Sequence, residues 1–176
     1  MKKIYCIRHA KSKDYAEGES DFERSISKKG YRDIRTIGSY LRLRGISPQK
    51  VLSSCALRAQ ESALKLMERV GYEGSIEYLE ELYLRSPEEI IEIIKMQDDA
   101  YESLFIVGHH PYLTELVNRV SQEHIAKIPS MGVVCIVFET EIWQDIAVHR
   151  GEIEFFITPK QFKYYMPQQI RAALAK

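Results

Sequence analysis

The 176-residue sequence has no excess of either charge and no long apolar run. Its 25 lysine and arginine residues are matched by 25 aspartate and glutamate residues, which argues against a general binder of polyanions such as nucleic acids. The longest convincing apolar run, 131–138, is far shorter than the roughly 20 residues of a membrane span. The run 4–7 is too short for the apolar part of a signal peptide. We therefore expect a soluble cytoplasmic protein with no nucleic-acid or membrane partner.

Cysteines are few, and several common catalytic motifs are missing. The three cysteines, Cys6, Cys55 and Cys135, are widely spaced without a Cys-x-x-Cys pair, and each lies in or beside an apolar stretch. Free buried thiols in a reducing compartment are typical of this pattern. The sequence lacks His-x-x-Glu-His and Gly-x-Ser-x-Gly, which disfavours a zinc enzyme and a serine hydrolase. We expect no disulfide, no metal and no cofactor.

The sequence has neither an internal repeat nor a low-complexity linker, so we expect a single domain over 1–176. Alternation of short apolar runs with helical apolar spacing predicts a three-layer α/β sandwich with a largely parallel central sheet. The last three predicted strands are too close together for crossovers, so the C-terminal portion is expected to be antiparallel. The predicted strands are 2–7, 50–53, a weak one around residue 76, 103–108, 131–139, 143–148 and 152–157, and the predicted helices are 27–44, 58–70, 86–96 and 111–119.

Unusual polar residues follow three of the predicted strands. Arg8-His9 follows the first strand, Ser53-Ser54 leads to Arg58 after the second, and His109-His110 follows the strand that ends at residue 108. Ligands of open α/β sheets bind beyond the carboxyl ends of the strands, so these residues are expected to converge. Guanidinium groups match phosphate oxygens, and a neutral imidazole can accept a phosphoryl group covalently. This set predicts a phosphoryl-binding pocket.

Four segments in order resemble the motifs of the histidine phosphatase superfamily, and in particular its short SixA-type phosphohistidine phosphatases. They are Arg8-His9-Ala10-Lys11-Ser12, the acidic and arginine segment 21–30, the serine-rich arginine motif 53–63, and the second histidine motif 107–111. The resemblance extends from residue 2 to about residue 138. It implies a phosphoglycerate mutase-like fold and a metal-independent hydrolase that forms a phosphohistidine.

The resemblance also implies roles for individual residues. His9 is expected to be the nucleophile, and Arg8 and Arg58 to hold the transferring phosphoryl oxygens. His109 is expected to hold another phosphoryl oxygen, and Arg24 is a substrate-side or supporting contact. The expected substrate is a phosphohistidine of a protein.

Two departures from the superfamily pattern leave alternatives open. Many relatives have asparagine after the second histidine, where this chain has His110, whose role stays open. Larger members use a carboxylate to protonate an oxygen leaving group, and Glu81 is the nearest candidate by position. A weak acid would favour phosphohistidine, whose imidazole leaves more easily than an alkoxide. The alternatives are a small-metabolite phosphomonoesterase, a phosphoglycerate mutase or a non-catalytic phosphate-binding module.

Other features have two interpretations. Lys11 and Ser12 contact phosphate or are ordinary loop residues, and Ser53 and Ser54 are expected to shape the loop that presents Arg58. An aromatic C-terminal segment is expected to pack on the core as a terminal lid, with a dimer contact as the alternative, so we expect a monomer or a weak dimer. That segment contains Phe155, Phe156, Phe162, Tyr164 and Tyr165.

Overall fold

The computed structural model describes residues 1–164 and 166–174. Six strands form one sheet in the order β3-β2-β4-β1-β5-β6. The strands are β1 (Lys2–Arg8), β2 (Lys50–Ser54), β3 (Ile76–Leu79), β4 (Ser103–Gly108), β5 (Val133–Phe138) and β6 (Glu152–Ile157). The helices are α1 (Lys28–Leu43), α2 (Leu57–Val70), α3 (Pro87–Lys95), α4 (Tyr112–Val120), α5 (Pro159–Tyr164) and α6 (Gln168–Leu174).

The sheet is mixed, as the sequence predicts. Strands β3, β2, β4 and β1 run parallel, and β5 is antiparallel to both β1 and β6. One face packs against α1 and α2 through a cluster that includes Ile7, Ile34 and Leu66, and the other packs against α3 and α4 through a cluster that includes Ile106 and Ile90. The α/β fold with a largely parallel sheet and an antiparallel C-terminal portion is confirmed.

Local signals in the sequence set the helix boundaries. The Ser27 hydroxyl accepts a hydrogen bond from the Gly30 amide and caps α1. Gly71, at φ 84°, ends α2 in the left-handed conformation that favours glycine. Ser86 and Glu89 form a reciprocal capping box before α3. Each of these helices lies within one or two residues of its predicted bounds.

The predicted strand 143–148 is wrong. The segment forms a 3-10 helix, Trp143–Ala147, because its two buried side chains, Trp143 and Ile146, are three residues apart and face the core together. Backbone and indole N–H groups of Trp143 donate to the Asp99 carboxylate and the Asp98 carbonyl. These contacts fix the turn against the loop before β4.

The C-terminal aromatic residues are part of the core where the structure describes them. Phe162 is buried and its ring lies 5.4 Å from that of Tyr40 on α1. Phe155 packs toward Tyr5, with ring centroids 6.1 Å apart. Tyr165 and the side chain of Tyr164 lie outside the part of the chain that the structure describes. The described part of this segment therefore packs on the core, as the sequence predicts. No helix in the described ranges is long and apolar enough to cross a membrane.

Candidate active site

Three neighbouring strands bring the predicted site residues together. Arg8 is the last residue of β1, and the backbone N–H of His9 donates to the Gly108 carbonyl at the end of β4. Arg58 lies in the first turn of α2, directly after β2. His109 follows β4, and its ring centroid lies 5.1 Å from that of His9. The structure therefore places all four residues at the carboxyl edge of the parallel strands.

His9 is buried and its hydrogen bonds define its neutral form. Its Nδ1 lies 2.8 Å from the Ala10 carbonyl, which can only accept, so Nδ1 carries the proton. Its Nε2 accepts a hydrogen bond from Nε of Arg58 at 3.3 Å. Burial, together with the charges of Arg58 and Arg8, lowers the pKa of His9 to about 4 against the opposing bond to Ala10. At neutral pH, Nε2 is an unprotonated nitrogen with an available electron pair.

His109 is buried in the same way and is neutral. Its Nδ1 lies 3.4 Å from a terminal nitrogen of Arg58, which can only donate, and its Nε2 lies 2.8 Å from the Ser54 hydroxyl. The proton is therefore assigned to Nε2. Burial, and then the neighbouring His9 and Arg58, lower the pKa of His109 to about 3. Both histidines present a nitrogen lone pair to Arg58.

Arg58 is 4% exposed and uses its whole guanidinium group. Besides the two histidines, it donates to the backbone carbonyl of Asp21 at 2.6 Å and to the Asp21 carboxylate at 2.9 Å. A cation in the first turn of a helix is unfavourable beside the helix dipole. The carboxylate of Asp21 offsets that cost, and fixes the guanidinium between the two imidazoles.

Arg8 lies at the same edge of the sheet and has a buried donor without a partner in the described chain. One terminal nitrogen donates to the Ile128 carbonyl at 3.1 Å. Its Nε is buried and makes no hydrogen bond within the described chain. Burial and the charge of Arg58 lower the pKa of Arg8. A buried donor of this kind beside a second guanidinium is suited to an anionic oxygen.

Asp21, which the sequence indicates only as part of the segment 21–30, is the centre of the site's hydrogen bonds. One carboxylate oxygen accepts from Arg24 and Tyr15, and the other accepts from Arg58 and from the Tyr83 hydroxyl at 2.8 Å. These bonds hold the pKa of Asp21 well below its usual range although burial opposes them. Arg24 therefore supports the site through Asp21, and the structure does not bring it to His9 directly.

Tyr83 was not identified from the sequence. It follows a 3-10 helix, Glu80–Leu82, and its ring packs edge-on against His109 with centroids 5.3 Å apart. Glu81 lies in that 3-10 helix with an exposed side chain and joins none of the described hydrogen bonds of the site. Its apolar neighbour Leu82 is buried and anchors the turn. The turn thus directs Tyr83, and not Glu81, toward the histidines.

The remaining predicted residues lie around this cluster. His110 Nδ1 pairs with the Thr114 hydroxyl at 3.1 Å, which also accepts from the Ile128 amide, so His110 supports the loop that holds Arg8. The Ser53 hydroxyl donates to the Ser54 carbonyl. The Lys11 carbonyl accepts from the amide and the hydroxyl of Ser27, while the Lys11 side chain is exposed.

Metal-ligating side chains do not cluster at this edge. Within residues 1–164 and 166–174, no group of three or more histidine, cysteine or acidic side chains lies close enough to hold an ion. The charged groups that face His9 are guanidinium groups instead.

Comparison of the sequence with known proteins finds a mycobacterial relative. No protein-family model matches the chain. An uncharacterized protein of Mycobacterium tuberculosis (strain ATCC 25618 / H37Rv) is 33% identical over 164 residues, which cover 88% of this chain and 100% of the relative. The chain belongs to the same family as this mycobacterial protein.

Solved structures identify the fold. The protein histidine phosphatase SixA complexed with tungstate matches with a TM-score of 0.80 and 17% identity, covering 91% of this chain and 99% of that one. This chain has the same fold as SixA. A mycobacterial glucosyl-3-phosphoglycerate phosphatase complexed with VO3 matches less closely, with a TM-score of 0.67, 12% identity and coverage of 88% and 98%. The histidine phosphatase fold is therefore shared by proteins named for different substrates.

Proposed function

We propose that this protein is a metal-independent phosphatase of the cytoplasm that transfers a phosphoryl group from a protein phosphohistidine to His9 and then to water. The observation that carries the proposal is the neutral His9 ring, whose Nε2 accepts a hydrogen bond from Arg58 and which is close enough to both Arg58 and Arg8 for their charges to lower its pKa. A nucleophile and two fixed cations are the parts that phosphoryl transfer requires. Three free cysteines fit a reducing compartment.

In the first step, the phosphoryl group enters between Arg8 and Arg58. The Nε–H of Arg58 stops donating to His9 Nε2 and donates to a phosphoryl oxygen instead. This change frees the lone pair of His9. That lone pair forms the new P–N bond while the bond from phosphorus to the leaving imidazole breaks in line. The leaving nitrogen keeps the electron pair and takes a proton from solvent. Arg8 and Arg58 stabilise the charge on the phosphoryl oxygens, because the fold already orients their guanidinium groups. His109 donates to a phosphoryl oxygen only once its Nδ1 takes up a proton, because its Nε2–H is directed at the Ser54 hydroxyl.

In the second step, water attacks phosphorus on the phosphorylated His9. The P–N bond breaks, its electrons return to Nε2, and the water gives up one proton to solvent as inorganic phosphate leaves. The net reaction is hydrolysis of phosphohistidine to histidine and phosphate. Nδ1 of His9 keeps its proton and its bond to the Ala10 carbonyl throughout, which holds the ring in the reactive orientation.

The acid side chains of the site favour phosphohistidine over a phosphate ester. Asp21 is the carboxylate that contacts Arg58, and its pKa lies well below the usual range, so it is ionised and cannot protonate a leaving oxygen. Glu81 is exposed outside the hydrogen-bonded cluster. An alkoxide leaves poorly without a proton, whereas the imidazole of phosphohistidine leaves more readily. We therefore favour protein phosphohistidine over a small-metabolite ester.

The test is phosphate release in the presence of a chelator. The substrates are a phosphohistidine-containing protein and a panel of phosphomonoesters, and the enzymes are the wild type, His9→Ala and the control His149→Ala, an exposed histidine outside the site. We expect phosphate release from phosphohistidine to be unaffected by the chelator. In His9→Ala we expect it to fall by about a thousandfold or more. His149→Ala should keep wild-type activity.

Other results would support the alternatives. Preference for one monoester would favour a metabolite phosphatase. Phosphate binding without turnover by the wild type would favour a binding module. Loss of activity with the chelator that added metal restores would contradict metal independence.

A further inference from the structure

A basic cleft adjoins the proposed phosphoryl site. The cleft has a volume of about 340 Å³ and meets the site at Arg8, while His9, Arg58 and His109 are not part of its lining. Its basic lining residues are Arg8, Lys11, Lys29, Lys127 and Lys160. None of the described residues that line it is acidic. Such a grouping is unexpected in a chain whose 25 basic and 25 acidic residues balance.

The basic surface continues beyond this cleft. A second cleft of about 530 Å³ shares Lys29 and Lys160 with the first and adds Arg32. It also contains Asp33, whose carboxylate binds the Lys29 ammonium at 2.7 Å. The two clefts form a continuous basic strip, which we define by Arg8, Lys11, Lys29, Arg32, Lys127 and Lys160. Each of the two clefts has room for more than a single phosphoryl group.

Three lysines of the basic strip have no anionic partner within the described chain. The ammonium groups of Lys11, Lys127 and Lys160 make no described ion pair or hydrogen bond, and their side chains are exposed. Elsewhere on the surface, Lys3, Lys65 and Lys95 are each paired with a glutamate. Like charges that converge on one cleft attract an oppositely charged partner and increase its rate of association.

From these observations we infer that the phosphohistidine substrate lies within an acidic protein segment, whose carboxylates bind the basic strip while the phosphoryl group enters beside His9. The inference rests on the proposed function and adds the chemistry of the partner. Arg8 joins the two parts, because its buried Nε belongs to the phosphoryl site and its side chain also borders the cleft. A small phosphate ester would reach Arg8 but would leave the distant lysines unused.

Two synthetic peptides of equal length test the inference. Each carries one phosphohistidine, flanked by glutamates in one peptide and by glutamines in the other. The readout is the ratio of kcat/KM for the glutamate peptide to that for the glutamine peptide, measured at low and at high salt. The enzymes are the wild type, the double variant Lys127→Glu/Lys160→Glu, and Lys95→Glu. Lys95 lies on α3, on the opposite face of the sheet from α1, and its substitution changes the charge by the same amount per site.

We expect a wild-type ratio of about ten or more at low salt that falls as salt screens the charges. The double variant should lower the ratio to about one or below, while Lys95→Glu keeps it. A wild type that hydrolyses both peptides equally would overturn the inference and leave the proposed function intact, and so would a double variant that keeps the wild-type ratio. A wild type that hydrolyses neither peptide would contradict the proposed function itself.

Discussion

At the scale of single residues, Asp21 has the clearest consequence for catalysis. Its carboxylate binds Arg58, Arg24, Tyr15 and Tyr83 at once, so it fixes the guanidinium that faces both histidines. Asp21 also places a negative charge near the position proposed for the phosphoryl group. The same side chain therefore positions Arg58 and weakens the attraction of the site for anions.

Asp21→Asn should separate these two effects. We expect kcat for phosphohistidine hydrolysis to fall about tenfold or more, because Arg58 loses its charged partner. Affinity for inorganic phosphate should rise at least about threefold, because an opposing charge is removed. The two measurements are steady-state kinetics and calorimetric phosphate binding.

Asp14→Asn is the matched control, since Asp14 is an exposed aspartate in the same loop. It should change neither value. Asp21→Glu should recover part of kcat. Parallel losses of kcat and phosphate affinity in Asp21→Asn would show that Asp21 supports only the structure of the loop.

At the scale of elements, the start of α2 is fixed to the loop after β1 by a buried serine. The Ser62 hydroxyl accepts from the Ala10 amide at 2.8 Å and donates to the Arg58 carbonyl at 2.6 Å. Ala10 also provides the carbonyl that orients His9. Ser62 therefore connects the segments that carry the proposed nucleophile, His9, and the guanidinium of Arg58.

Ser62→Ala should cost about 2 kcal/mol in the free energy of unfolding, because it leaves the buried Ala10 N–H without a partner. Thr36→Ala is the control, since Thr36 is only half-buried and its hydroxyl bonds only within its own helix. We expect the control to stay within about 0.5 kcal/mol of the wild type. Chemical denaturation measures both. Equal stabilities of the two variants would contradict the role given to Ser62.

Element patterns explain why the core of the site was predictable from the sequence. Apolar strands end at or shortly before Arg8-His9, Arg58 and His109. The carboxyl ends of parallel strands necessarily meet at one edge of the sheet. Asp21 begins one short 3-10 helix and Tyr83 follows another. Both lie in loops, where no periodic pattern in the sequence indicates which way a side chain faces. The error at 143–148 has a related cause, because a short apolar segment fits a strand or a single helical turn equally well.

At the scale of the whole molecule, burial of two neutral histidines makes stability depend on pH. An exposed histidine in the unfolded chain has a pKa of about 6.5, whereas burial lowers the pKa of His9 in the folded chain to about 4. Between these values the unfolded chain binds more protons than the folded chain. The free energy of unfolding therefore falls as the pH drops from about 6.5 toward about 4.

Replacing His9 by glutamine should remove its part of this dependence. Between pH 7 and pH 4.5, we expect the wild type to lose roughly 2 kcal/mol more stability than His9→Gln, measured by urea denaturation at each pH. His109 is expected to add to the effect in the same direction, because its pKa is lowered to about 3. The control His149→Gln replaces an exposed histidine and should follow the wild-type curve. If the curves of the wild type and His9→Gln run parallel, the fold does not lower the pKa of His9, and the inference that burial keeps His9 neutral below pH 6.5 is contradicted.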